Sequence, residues 1–234
     1  MNQTIVEALN SYANPAKIAD YKRFFKTGRG EYGEGDCFLG VNVPDTRRVV
    51  KCYYKTMSFD EIEAFLYSPY HEHRLFALLV LVALFQAKDL DYQTPIYNFY
   101  LKHIHQINNW DLVDSSASYI VGSYLLQRNR SILHQWATSS HLWTRRIAIV
   151  STFAFIKAGD FEDSLALSDQ LLHDSHDLIH KAVGWVLRTI GDHDINRLIA
   201  YLNPRYKQMP RTMLRYAIEK FDEPLRQSYL KGLV

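Results

Sequence analysis

The chain has 234 residues, 47% hydrophobic and 22% charged, with a net charge of +2. It is long enough to bury a real core and has the balance of an ordinary soluble globular protein. So small a net charge does not call for a polyanionic partner; only the placement of the charges can.

Residues 1–45 form an atypical N-terminal cap. The opening "MNQTIVEALNSYANPAKIADYKRFFK" lacks the charged and apolar blocks of a signal peptide. A glycine-rich loop at 28–40 follows, with Gly28, Gly30, Gly33, Gly35 and Gly40 in thirteen residues. At about 1 kcal/mol per glycine relative to alanine, this stretch resists helix formation. Its "GRGEYGEG" lacks the GK[ST] ending of a phosphate-cradling loop. Cys37 and Cys52 make no CxxC or zinc-finger spacing, so reduced thiols are expected, with one disulfide left open.

From there on, apolar residues recur at spacings of three and four. The pattern runs through "TRRVVKCYYKTM", "EIEAFLYS", "HRLFALLVLVALFQ", "RRIAIVSTFAFIKAG" and "HKAVGWVLRTIG". The chain reads as all-α, with breaks at 68–70, 87–95, 139–141, 158–160 and 202–211. The most apolar run, Leu75 to Phe85, is too short to cross a bilayer. A cytoplasmic location is expected, in bacterial cytosol or nucleoid, with no membrane partner.

The long apolar helices repeat. Arg146, Lys181 and Arg215 each lead an apolar run at intervals of 35 and 34, and Arg74 lies 72 positions before Arg146, twice 36. The missing copy starts at Trp110, in "NNWDLVDSSASYIVGSYL" (108–125), a stretch that reads as a core helix. A period near 35 filled by two helices predicts a single HEAT-like helical-repeat solenoid over 1–234, curved, with a concave basic surface.

If the register holds, Trp110, Asp114, Arg146 and Trp185 converge on one face across adjacent repeats. Two indoles attract a planar cation through their ring quadrupoles, a carboxylate beside them adds to that, and an arginine suits a phosphate oxygen. A nucleic acid carrying a positively charged alkylpurine matches this set. Its base is already a good leaving group, so one carboxylate, Asp114, can stabilise the sugar cation and position water. Lys181, Arg215 and Arg74 extend the phosphate contacts of Arg146, or are simply solvated. Arg205, Lys207 and Arg211 belong to the same stripe, and the cluster Lys22, Arg23, Lys26, Arg29 is open to both readings.

Three stretches, "NNWDLVDSSASYIVGSYL", "HLWTRRIAIVSTFAF" and "IHKAVGWVLRTIGDHD", resemble the AlkD-like HEAT-repeat DNA alkylation repair family, glycosylases for cationic alkylpurines such as 3-methyladenine and 7-methylguanine. The resemblance spans about residue 36 to the end. It implies Asp114 as the catalytic carboxylate, Trp110 and Trp185 as lesion contacts, Arg146, three residues after Trp143, as a phosphate contact, and double-stranded DNA as the partner of a monomer that needs no cofactor. The glycine-rich segment departs from the family pattern and resembles a paralogous AlkD branch lacking the N-terminal helix that enters the minor groove. That resemblance implies weak DNA binding without alkylpurine excision as the alternative. A helical-repeat protein-interaction module, its aromatic pair a hot spot for a peptide, is the third reading.

Other residues carry plainer expectations. Asp111 reads as a first-turn acid with Asn108 or Asn109 as cap, and Trp136 and Trp143 as packing residues. His173, His176 and His180 have a spacing that can reach a metal, but without HExxH or a carboxylate motif they read as surface histidines. No metal site is expected.

Overall fold

A computed structural model of the chain describes residues 1–87 and 90–234. It divides into two compact units, Met1–Ile120 and Val121–Val234. Both are helical; the β pairing among the described residues is a bridge between Cys37 and Tyr70.

The first unit contains α1 (Gln3–Asn10), α2 (Ile18–Phe24), α3 (Val43–Tyr53), α4 (Phe59–Leu66), α5 (His71–Ala87), α6 (Leu90–Lys102) and α7 (Trp110–Asp114). Leu75 to Val82 of α5 are each at most 8% exposed, as expected of a helix apolar on every side. It packs against α3, α4, α6 and α7. Local signals set the boundaries. Asn42 caps α3 through the Asp45 amide, and Ser58 and Glu61 form a capping box at α4. Of the expected break at 87–95, Lys88 and Asp89 lie outside the described residues, and α6 already begins at Leu90 with Pro95 inside it.

The second unit contains α8 (Ser123–Leu125), α9 (Ser131–Ala137), α10 (Leu142–Ser151), α11 (Phe153–Lys157), α12 (Glu162–Gln170), α13 (Asp177–His193), α14 (Ile195–Leu202), α15 (Arg211–Ala217) and α16 (Glu223–Lys231). The leading residues of the sequence repeat sit on α10, α13 and α15, and these pack in order, α10 on α13 and α13 on α15. Gly184 permits the second contact: a Cβ there would come within 2.4 Å of the Tyr216 Cβ and 2.6 Å of the Met213 carbonyl.

Ion pairs carry the same period. Arg130 bonds Asp160 and Asp163, Arg145 bonds Asp174, Arg205 bonds Asp169, and Lys220 bonds Asp192. Each joins residues 28 to 36 apart, about one repeat. The fold is an all-α helical repeat.

Candidate functional site

The centre of the first unit's site is a short helix. Asn109 is extended, and its side-chain oxygen accepts the Trp110 amide at 2.8 Å, which starts α7. α7 ends after five residues. The Ser116 hydroxyl donates back to the Leu112 carbonyl at 2.6 Å and meets the Tyr100 hydroxyl at 3.0 Å, a back-bond that bends helices. The backbone then widens into a π-helical segment, Ser118–Gly122. The continuous core helix expected over 108–125 is therefore interrupted, as helices often are at functional sites. Asp114 is the last residue of α7, one turn from Trp110.

Trp110 and Asp114, both half-buried, line one cavity of about 440 Å³ together with Tyr21, Phe24, Arg47 and Tyr119. That volume lies in the usual range for small-ligand sites, roughly 300–1,000 Å³. The Trp110 ring is held in place: Phe25 stacks on it at 5.4 Å and 18°, and Phe24 meets it edge-on at 5.5 Å. Such pairs contribute about 0.5–1.5 kcal/mol each beyond area burial.

Behind Trp110 lies a buried chain of charges. Asp36 accepts from Arg74 at 2.6 Å and from His71 Nδ1 at 3.1 Å, while His71 Nε2 donates to Asp111 at 2.7 Å. All four residues are at most 9% exposed. Burial opposes an imidazolium, but the charge and hydrogen bond of Asp111, with the bond to Asp36, outweigh it and hold the His71 pKa up at about 9. Burial likewise opposes ionisation of Asp36, yet the bonds from His71 and Arg74 keep its carboxyl below the usual carboxylate range. Two carboxylates thus clamp a cationic ring, which lies tilted against Phe25 at 4.6 Å. Neighbouring His73 behaves oppositely, since burial and the Arg74 charge push it down to about 4.

The glycine-rich segment forms one wall of this arrangement. Residues 25–42 contain no α-helix. They are fastened to the head of α5 by Glu72, whose buried carboxylate accepts the amides of Leu39, Gly40 and Val41 at 2.8 to 3.2 Å. Gly40 has φ +80°, and a Cβ there would come within 2.1 Å of the Asn14 carbonyl. Gly33 is pressed against the Phe25 carbonyl in the same way, 2.4 Å from where its Cβ would be. Gly28 and Gly30 donate their amides to Glu31 and Glu34, so the chain's own carboxylates occupy the loop's donors. Lys26 has φ 55°, a left-handed conformation that costs a residue with a side chain about 1–2 kcal/mol. Its carbonyl accepts the Gly33 amide at 3.0 Å, which pins the turn. Cys37 and Cys52 are both free thiols.

Several expectations change here. Arg74 is 4% exposed and donates to Asp36 and to the Ser68 carbonyl, so it braces the site instead of meeting phosphate. Asp111 does more than complement the first turn of α7, because it is the acceptor for His71. Sequence reasoning missed Asp36, His71, Phe24 and Phe25. The available signal was "HEHR" at 71–74, four polar residues at the head of the most apolar helix, each at most 4% exposed.

The other nominated residues belong to the second unit. Arg146 is 5% exposed and donates to the Leu178 carbonyl; contact with a phosphate there would require its neighbours to part. Trp185 is half-buried and packs against Phe153 at 4.4 Å. Lys181 pairs with Asp177 at 2.8 Å, and Arg215 is exposed on α15. Arg205 is held by Asp169, and Arg211 donates to the Leu230 carbonyl. Trp143 is buried at 4%. His176 caps α13 by accepting the Leu178 amide. Among the described residues no group of three His, Cys, Asp or Glu side chains is placed to hold a metal ion, and no helix is long and apolar enough to cross a membrane.

An all-α repeat with a carboxylate one turn from an aromatic wall defines a helical-repeat protein with a ligand-sized polar–aromatic site. Residues 5–221 match the DNA alkylation repair enzyme family, and the chain belongs to it. Membership implies interaction with DNA. Among solved structures, a predicted DNA alkylation repair enzyme from Enterococcus faecalis superposes with a TM-score of 0.71 at 17% identity, covering 90% of this chain and 97% of that one. AlkD2 from Streptococcus mutans superposes with a TM-score of 0.56 at 16% identity, covering 88% and 98%. At these identities the likeness is one of fold. No curated protein matches the sequence.

Proposed function

We propose that the protein is a DNA glycosylase that hydrolyses the N-glycosidic bond of cationic alkylpurines in duplex DNA, with Asp114 as the catalytic carboxylate. One observation carries the reading: Asp114 shares a ligand-sized cavity with the fixed face of Trp110. An aromatic face beside a carboxylate favours a cation over a neutral base. As the C1′–N bond breaks, its electron pair goes to the base and cancels the positive charge. The sugar gains oxocarbenium character beside Asp114, which stabilises it. Water then bonds to C1′ and gives its proton to the carboxylate.

Trp110 supplies the lesion contact in this reading, with Trp185 as the second aromatic. Lys181 and Arg215 take phosphate contacts, which position the duplex without reading sequence. Arg146 joins them if its buried guanidinium is uncovered by DNA.

The test is single-turnover release of 7-methylguanine from methylated duplex DNA by wild type and Asp114→Asn. The variant should lose about 10²–10³-fold in rate, the scale of removing one preorganised transition-state interaction, while keeping its DNA affinity. Equal rates would overturn the assignment. Folded wild-type protein that binds the duplex and releases no base would make it a DNA-binding member without turnover.

A further inference from the structure

Phe24 has no place in the core. Its side chain is 62% exposed, although phenylalanine is among the most often buried residues, and it stands at the rim of the cavity that holds Trp110 and Asp114. Its ring is nevertheless fixed, edge-on to Phe25 at 5.2 Å and to Trp110 at 5.5 Å. The chain reverses just beyond it through the left-handed Lys26. Phe24 is therefore a rigid apolar tip beside the candidate active site.

Residues 20–34 around that tip carry four cations and three carboxylates. Lys22, Arg23, Lys26 and Arg29 are all exposed. Arg23 is taken by Asp20, but among the described residues Lys22, Lys26 and Arg29 form no salt bridge. The acids of the same segment are occupied elsewhere, Glu31 and Glu34 being bonded to the Gly28 and Gly30 amides. An apolar ring beside exposed cations that form no salt bridge is complementary to a base stack lined by phosphates.

We propose that Phe24 is a wedge that enters the base stack beside the nucleotide held in the cavity, with Lys22 and Lys26 on the flanking phosphates. The inference rests on duplex DNA as the partner proposed above. Because the ring is fixed before binding, little ordering cost falls on association. A damaged or mispaired step unstacks at lower cost than an intact one, so the wedge favours lesions over intact duplex. The glycine-rich segment then takes part in DNA engagement by shaping the turn that presents Phe24.

The experiment uses the full chain and a duplex with a tetrahydrofuran abasic analogue opposite 2-aminopurine. Anisotropy gives affinity against salt, and 2-aminopurine fluorescence reports unstacking. Phe24→Ala should bind roughly ten- to hundredfold more weakly, the scale of one missing base–aromatic stack, with the salt slope unchanged and the fluorescence rise abolished. Phe24→Trp should keep both. Replacing Lys22 and Lys26 by Gln should lower the slope by about 0.9 for each phosphate that is no longer neutralised, while the fluorescence rise persists at saturation. Phe24→Trp should melt like wild type, and Phe24→Ala, which loses its edge contacts to Phe25 and Trp110, should melt slightly lower but remain folded at the assay temperature.

Wild-type affinity and fluorescence in Phe24→Ala would overturn the wedge and leave the glycosylase reading intact. DNA binding that depends on Phe24, without base release, would do the reverse. Phe24-dependent self-association or peptide binding with no fluorescence change would overturn the wedge in favour of a protein contact, and so would failure of the wild type to bind the duplex.

Discussion

Both units are helical, but their characteristic charge pairs lie at different depths. In the second unit, Arg197–Glu162 and Lys220–Asp192 lie on the surface, with side chains 37–77% exposed, and they staple one repeat to the next. In the first unit, the Asp36–His71–Asp111 chain has side chains 2–11% exposed and connects a glycine-rich loop, the head of α5 and the helix carrying Asp114. Surface pairs contribute little singly and tolerate loss. A buried chain is costly to interrupt, because each removal strands a charge without water. The second unit gains regularity from its charges, and the first gains a fixed geometry behind Trp110.

Substitutions can sharpen that contrast. The largest effect should come from His71→Gln, which leaves Asp111 without its cation and should destabilise the first unit by about 3–5 kcal/mol in urea unfolding. The same residue sets a pH dependence. Its raised pKa makes its contribution complete below the ordinary imidazole value of 6.5 and lost as pH climbs through about 9. Wild type should therefore lose stability between roughly pH 7 and 10, and His71→Gln should lose much less over that window; parallel curves would remove His71 as the cause. Next, Gly184→Ala in the second unit forces a Cβ into Tyr216 and should cost about 1–3 kcal/mol of overpacking strain. Smallest should be Arg197→Ala, below about 1 kcal/mol. A cost near that of His71→Gln would erase the distinction between the units.

What the sequence made legible follows the same division. The breaks at 68–70, 139–141 and 158–160 fall between helices of the structure, and that at 202–211 runs from the last residue of α14 to the first of α15, because they rest on proline, glycine and polar residues that act locally. The repeat was visible because α10, α13 and α15 each open an apolar run with a basic residue. Trp110 and Asp114 could be paired on one cavity because one helical turn separates them. The charge chain could not be read this way. Asp36 is 35 positions from His71, about one repeat, but it lies in a non-helical loop where no helical register marks it, and His71 is 40 from Asp111. The glycines signalled only the absence of helix, whereas the aromatic cluster of Phe25, Phe38 and His71 depends on where the loop is fastened. Ser116 likewise gave no sign that it would interrupt the helix begun at Trp110, since its effect depends on a bond to its own backbone.

The carboxylate of Glu72 that accepts the amides of residues 39–41 has a consequence for synthesis. The loop emerges from the ribosome 31 to 33 residues before its anchor, and His71 emerges 40 before Asp111. At about 5–20 residues per second, Phe24 and Phe25 spend roughly two seconds or more outside the ribosome with neither Glu72 to anchor the loop nor Trp110 to pack against. Throughout that interval two adjacent aromatic rings lie in an unanchored nascent chain, and the loop can close on its anchor only after the head of α5 has been made.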